Sequence, residues 1–129
     1  MSDTPSDLYY TEEHEYVRPT NESDVFTIGI TDYAQGELGD IVFLELPTIG
    51  ETFNASDVIG TIEAVKAVSD IYCPIGGEVL AVNLSLEDDP ALVNADPYGD
   101  GWMVQLKASD LSELDDMLDV EAYRTLVGK

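Results

Sequence analysis

One amine in this sequence stands out because of what surrounds it. Of 129 residues, 27 are Asp or Glu and only five are Lys or Arg, and the lysines are Lys66, Lys107 and Lys129. Lys129 is the final residue, and Lys107 ends an apolar run where a solvated edge charge needs no further role. Lys66 sits between Val65 and Ala67, whereas acidic residues dominate almost every other turn. Val58-Ile-Gly-Thr-Ile-Glu-Ala-Val65 and Ala67-Val-Ser-Asp-Ile-Tyr-Cys73 have the composition of two paired strands. Gly60 and Gly76-Gly77 frame the segment as a compact projecting unit. An isolated lysine at such a tip is commonly no more than an exposed turn residue. A tip that is rigid at its base and free at its end also suits a tethered chemical group.

Other chemistry finds little support. His14 is the only histidine and Cys73 the only cysteine, so there is no Cys or His cluster for a metal, and no Ser-His-Asp arrangement can be argued from one histidine so placed. His14 is expected to be a structural hydrogen-bonding residue. Cys73 follows Ile71-Tyr72 and reads as a buried apolar thiol, consistent with a reducing compartment. Acid pairs such as Asp88-Asp89 and Asp115-Asp116 carry almost no information in so acidic a chain. No phosphate-cradling Gly loop occurs. The expectation is a chain without catalytic activity of its own.

The formal charge of -22 narrows the partners. Such a field repels nucleic-acid phosphates and anionic headgroups, so nucleic-acid and membrane-surface binding are not expected. The scarcity of lysine and excess of acid point to a solvated acidic surface, and in sharper form to adaptation to a salt-rich cytoplasm. Met1-Ser-Asp-Thr-Pro-Ser-Asp7 lacks the pattern of a secretory or transit segment, and no apolar stretch is long enough to span a bilayer. A cytoplasmic protein is expected. An apolar share of 44% supports a packed core despite the charge.

The elements that must position Lys66 are short and β-rich. Val25–Ile30, Ile41–Leu46, Glu78–Asn83 and Trp102–Lys107 read as further strands, the second stopped by Pro47. Thr31–Leu38 reads as a short helix or turn opening at Thr31 or Asp32 and ended by Gly39-Asp40. Asn94–Gly101 is loop chemistry. Close-spaced strands with turn signals between them predict a sandwich or barrel. In the tail, Asp110-x-x-Glu113 predicts a capping box, with Leu111, Leu114 and Leu118 on one helical face. Asp119 predicts the cap of a second helix with Ala122, Tyr123 and Leu126 on its apolar side and Gly128 at its end.

The segment Gly60-Thr-Ile-Glu-Ala-Val-Lys-Ala-Val-Ser-Asp-Ile-Tyr-Cys-Pro-Ile-Gly-Gly-Glu-Val-Leu-Ala-Val-Asn83 resembles the lipoylation segment of glycine cleavage H proteins, centred on their Glu-Ser-Val-Lys-Ala. His14-Glu-Tyr-Val17, Ile28–Gln35, Leu38–Pro47 and Asn94–Trp102 resemble further blocks of that family in the same order, so the likeness spans roughly residues 8–127. Three positions depart from it: Ala64 where Ser is usual, Tyr16 where Trp is usual, and Cys73 where Ser is common.

The resemblance implies a mostly β, barrel-sandwich hybrid fold of the lipoyl/biotinyl-carrier type. It would have a short N-terminal helix and C-terminal helices packed on the sheets, all in one domain over 1–129. It implies (R)-lipoate in amide linkage to Lys66 and a non-enzymatic carrier of aminomethyl groups. The implied partners are glycine decarboxylase (P protein), aminomethyltransferase (T protein), dihydrolipoamide dehydrogenase (L protein), and a lipoate ligase or lipoyl/octanoyl transferase. The carried amine is cationic near neutral pH, so a carboxylate is its natural partner. Glu15 and Asp70 are the candidates, with His14 nearby in sequence. A monomer is expected, because a carrier visiting several enzymes gains from an unobstructed tip. An H-like relay passing lipoyl groups to 2-oxoacid dehydrogenases would look much the same. Biotinyl domains resemble Met-Lys-Met at the acceptor, and acyltransferase lipoyl domains usually show Asp-Lys-Ala and lack the Asn94–Trp102 block. A plain interaction module would leave Lys66 unmodified.

Overall fold

The computed structural model describes residues 8–128. Met1–Asp7, where no leader pattern was found, and the terminal Lys129 lie outside the described residues. Among the described residues nine strands form two sheets, in the order of the chain: β1 Tyr9–Tyr10, β2 Glu15–Pro19, β3 Val25–Ile30, β4 Ile41–Glu45, β5 Thr52–Phe53, β6 Val58–Ala64, β7 Val68–Tyr72, β8 Gly77–Val82 and β9 Val104–Ala108. The larger sheet has the order β1-β2-β3-β9-β8-β5 and the smaller β4-β6-β7. The strand pairings are antiparallel. The two ladders stay separate, so the architecture is a sandwich whose sheets do not close into one barrel.

The inner faces meet in one apolar core. Val17, Phe26, Ile28, Val79 and Leu106 come from the larger sheet, and Ile41, Leu44, Ile62 and Ile71 from the smaller. Alternation explains the assignment where one face is solvated: along β8, Gly77 and Val79 are buried while Glu78 and Leu80 are exposed, and a register shift between Val79 and Ala81 then brings Val82 onto the core. β2 is different because both of its faces are covered. Val17 enters the main core, while Tyr16 enters a second cluster with Leu8, Tyr10 and Tyr123. That cluster seats the C-terminal helix α4, Val120–Val127, against the sheet, with Tyr10 and Tyr123 stacked at 4.6 Å between ring centroids.

The helix ends follow their local chemistry. Helix α1, Asp32–Leu38, starts at Thr31, whose hydroxyl accepts from the Ala34 N–H, and the Gly39 N–H closes it onto the Gln35 carbonyl. Asp119 accepts from the Ala122 N–H to open α4, and Gly128 ends it in the left-handed region at φ 79°.

Several expectations for the tail need correcting. Leu111–Asp116 is a 3-10 helix, not a helix running to Leu118. Asp110 accepts from the Ser112 N–H, but the Glu113 carboxylate accepts from the Gly76 N–H, so it ties this turn to the sheet and not to its own cap. Leu118 leaves the helix to bridge Tyr10 in an extended pairing. On α4 only Tyr123 of the three expected core residues is buried; Ala122 and Leu126 are exposed. The segment Asn94–Gly101 is turn and loop as expected apart from its first two residues, which close a single helical turn, α3 Leu92–Ala95, that follows another, α2 Ser85–Asp88.

Candidate functional site

Lys66 is exposed at the turn joining β6 to β7. The β6–β7 ladder runs up to Glu63 opposite Val68, and the Ala64 N–H donates to the Ala67 carbonyl at 2.8 Å to close the turn. Val65 and Val68, at 74% and 67% exposure, flank it. Two apolar side chains left in water thus stand beside the acceptor. The tip is braced from the side by the residues after α1. The Val65 N–H donates to the Asp40 carbonyl at 3.0 Å, and the Lys66 stem lies over Gly39. Ala64, the departure nearest the lysine, is buried and lies opposite Ile41 in the ladder.

Of the other candidates, His14 lies at the opposite end of α1, Glu15 follows it in the chain, and Asp70 stands on β7. The turn from β1 to β2 places His14 at a left-handed φ of 70°, with the Thr11 N–H donating to the Glu15 carbonyl at 3.0 Å. That turn presents the Glu15 side chain inward, where it is only 2% exposed. Its carboxylate accepts from the Thr11 hydroxyl at 2.7 Å and from the Tyr72 N–H at 3.2 Å. Burial outweighs these donors and lifts its pKa from 4.5 to about 7. Asp70 lies on the same strand as Tyr72, two residues earlier, and is exposed. Glu15 and Asp70 are therefore joined through β7, one buried against its backbone and the other in solvent.

His14 packs against Tyr33 of α1, with 4.9 Å between ring centroids, and its Nδ1 lies 2.9 Å from the Tyr123 hydroxyl. The same hydroxyl is 2.7 Å from the Thr31 hydroxyl. Burial lowers the His14 pKa despite Glu13 and Glu37 nearby, which favours the neutral imidazole. His14 thus has the hydrogen-bonding environment expected of a structural residue. Helix α1 links the two regions: Tyr33 stands by His14 and Gly39, just past its end, stands by Lys66. That stretch of helix is about 9 Å long.

Cys73 is buried, donates to the Ile75 carbonyl at 2.8 Å, and has its thiol pKa pushed by burial up to about 12. It is a packing residue. Tyr16, the other departure, is fully buried and donates its hydroxyl to the Pro97 carbonyl at 2.6 Å. Among the described residues no group of His, Cys, Asp and Glu could hold a metal ion, and no helix is long and apolar enough to cross a membrane. Sequence reasoning passed over Gly39, Asn94, Tyr33 and Tyr72 as site residues. Gly39 and Asn94 were visible only as a helix stop and as the start of a loop, and nothing local marks the two tyrosines.

The profile of the glycine cleavage H-protein family matches residues 8–129. A glycine cleavage system H protein of Bacteroides thetaiotaomicron is 52% identical over 123 residues, covering 95% of this chain and 96% of its own. One from Pseudoalteromonas atlantica is 53% identical over 127 residues, covering 98% of each. One from Thermus thermophilus is 47% identical over 125 residues, covering 97% of this chain and 96% of its own. The crystal structure of a glycine cleavage system H protein from Mycobacterium marinum superposes with a TM-score of 0.89 at 35% identity, covering 98% of this chain and all of that one. The chain belongs to the glycine cleavage H-protein family.

Proposed function

We propose that the chain is the lipoyl carrier of a glycine cleavage system, a single domain without catalytic activity of its own, loaded at Lys66. The observation that carries this reading is an exposed amine on a braced hairpin tip in a chain matching H proteins along almost its whole length. The residues present suit an acyl-lysine: the amine is unburied, its neighbours Val65 and Ala67 are uncharged, and the β6–β7 ladder holds its base. When bound, (R)-lipoate would supply a dithiolane able to take up an aminomethyl group and later be reoxidised.

The protein's own part is placement and protection. The hairpin confines the end of the arm to a small volume, which substitutes a high effective concentration for free diffusion. A lysine carrying an eight-carbon acyl chain extends about 12–14 Å, more than the span of α1 between Gly39 and Tyr33. An arm running along α1 from the Gly39 end would point toward Tyr33 and the His14 beside it. Glu15 is buried and its pKa is raised to about 7, so burial disfavours its charged form near neutral pH. A cationic amine brought beside it would favour that form. Exposed Asp70 on β7 would meet the same amine from the solvent side. His14, held by Tyr123, would shape the cleft.

The partners on this reading are the P, T and L proteins and a lipoate-attaching enzyme, with the carrier acting as a cytoplasmic monomer. Reconstitution tests it. Lipoylated protein mixed with the P, T and L proteins, tetrahydrofolate and NAD should give NADH in proportion to glycine. A preparation that instead only donates its lipoyl group to an acyltransferase domain would establish the relay alternative.

A further inference from the structure

Asn94, on α3, commits its whole side chain to one short stretch of chain. Its Oδ1 accepts from the Ile41 N–H at 2.9 Å, and its Nδ2 donates to the Gln35 Oε1 and to the Gly39 carbonyl, each at 2.9 Å. The partners fix the amide's orientation, because an N–H needs an acceptor and a carbonyl needs a donor. The side chain thus clamps the end of α1 to the start of β4. The stretch so held, Gly39-Asp40, is the one that braces the Lys66 tip.

Two contacts transmit that clamp. The Asp40 carbonyl accepts from the Val65 N–H at 3.0 Å, next to the acceptor lysine. The bare α-carbon of Gly39 lies against the lysine stem: a β-carbon there would stand 3.1 Å from Lys66 Cε and 3.6 Å from Cδ. Gly39 also adopts φ 82° and ψ -157°, a region open almost only to glycine. The absence of a side chain at residue 39 makes a seat for the lysine, and Asn94 holds the seat in place.

We infer that Asn94 and Gly39 aim the Lys66 amine during acylation, Asn94 as a positioning residue and Gly39 as the surface along which the stem lies. The step they serve is attack of the deprotonated amine on the carbonyl of an acyl adenylate. The C–N bond forms, the acyl–phosphate C–O bond breaks, AMP leaves, and the amine's proton passes to solvent. This rests on the carrier reading, since it concerns the same lysine. A misaimed nucleophile lowers the rate of that step without altering how the carrier surface is recognised.

The test compares the unmodified full chain with its Asn94→Ala, Gln35→Ala and Gly39→Ala variants as substrates of a lipoate ligase given lipoate and ATP. Modification is followed by intact mass, well below each melting temperature. The expected result is a kcat about tenfold lower for Asn94→Ala and Gly39→Ala at unchanged KM, with Gln35→Ala in between. A purely structural role would lower the melting temperature and the fraction of chain that can be modified while leaving kcat of the folded fraction unchanged. That outcome, or unaltered kinetics in both principal variants, overturns the inference alone. A parent chain left unmodified beside a modified control carrier overturns the carrier reading and this inference with it.

Discussion

Replacing Glu15 by Gln isolates the one buried carboxylate among the described residues. Its pKa rises from 4.5 to about 7, chiefly because burial disfavours the charged form, and the Thr11 and Tyr72 donors offset only part of that. A carboxyl whose folded pKa lies above its unfolded one costs nothing below pH 4.5 and penalises folding increasingly as the pH rises toward 7. At about 1.4 kcal/mol per pH unit the full penalty is roughly 3 kcal/mol. Somewhat under 1 kcal/mol of it is felt by pH 5, which leaves about 2.5 kcal/mol to develop between pH 5 and pH 8. Gln cannot ionise, so the stability of Glu15→Gln relative to the parent should improve by that amount over the interval. The comparison cancels the other acidic residues, which titrate in both proteins. Urea unfolding at the two pH values is the assay, because urea adds no salt to a chain of charge -22. A difference between variant and parent that is the same at pH 5 and pH 8 would refute the claim that Glu15 is held as a buried acid with a raised pKa.

Other outcomes follow from single contacts. Tyr123→Phe removes the hydroxyl shared by His14 and Thr31, and Thr31 is fully buried, so urea unfolding should show a loss of about 1–3 kcal/mol; unchanged stability would mean that this bridge contributes nothing. Cys73 should resist a thiol reagent at pH 8 in the native protein and react on unfolding, since it is 1% exposed with a thiol pKa of about 12; labelling at the rate of a free peptide thiol would contradict its burial. Raising KCl from about 0.1 M to 1 M shortens the screening length from about 10 Å to 3 Å, so the urea midpoint should rise as self-repulsion is relieved. Equal midpoints in dilute buffer and in molar salt would remove the argument for adaptation to a salt-rich setting.

The strands were legible where composition and alternation agree, as in β3, whose bounds Val25–Ile30 coincide with the apolar run, and in β6 and β7 around the lysine. Asp119 as a cap and Gly128 as a stop were legible because each acts through its own side chain or backbone, and at α1 the structure picks Thr31 from the two candidates Thr31 and Asp32. The short strands β1 and β5 have two residues each, too few to show a period. Asp110-x-x-Glu113 failed as a capping box because Glu113 found a tertiary partner in the Gly76 N–H. Leu118 was lost from its helix for the same reason, drawn into pairing with Tyr10. At the site, the rarity of lysine and the uncharged neighbours of Lys66 only suggest a tether, and the resemblance of Gly60–Asn83 to the lipoylation segment is what singles it out. The clamp at Asn94 could not, because its partners Gln35, Gly39 and Ile41 are distant in sequence and the amide resembles any loop asparagine.

The central claim is that Lys66 is the lipoyl acceptor, and the most direct test is intact mass after co-expression with a lipoate ligase, followed by peptide mapping. The account predicts one lipoyl increment, confined to the peptide that holds Lys66 and absent from a Lys66→Arg variant. An unmodified chain beside a well-modified control H protein, or an increment placed on Lys107 or Lys129, would contradict it.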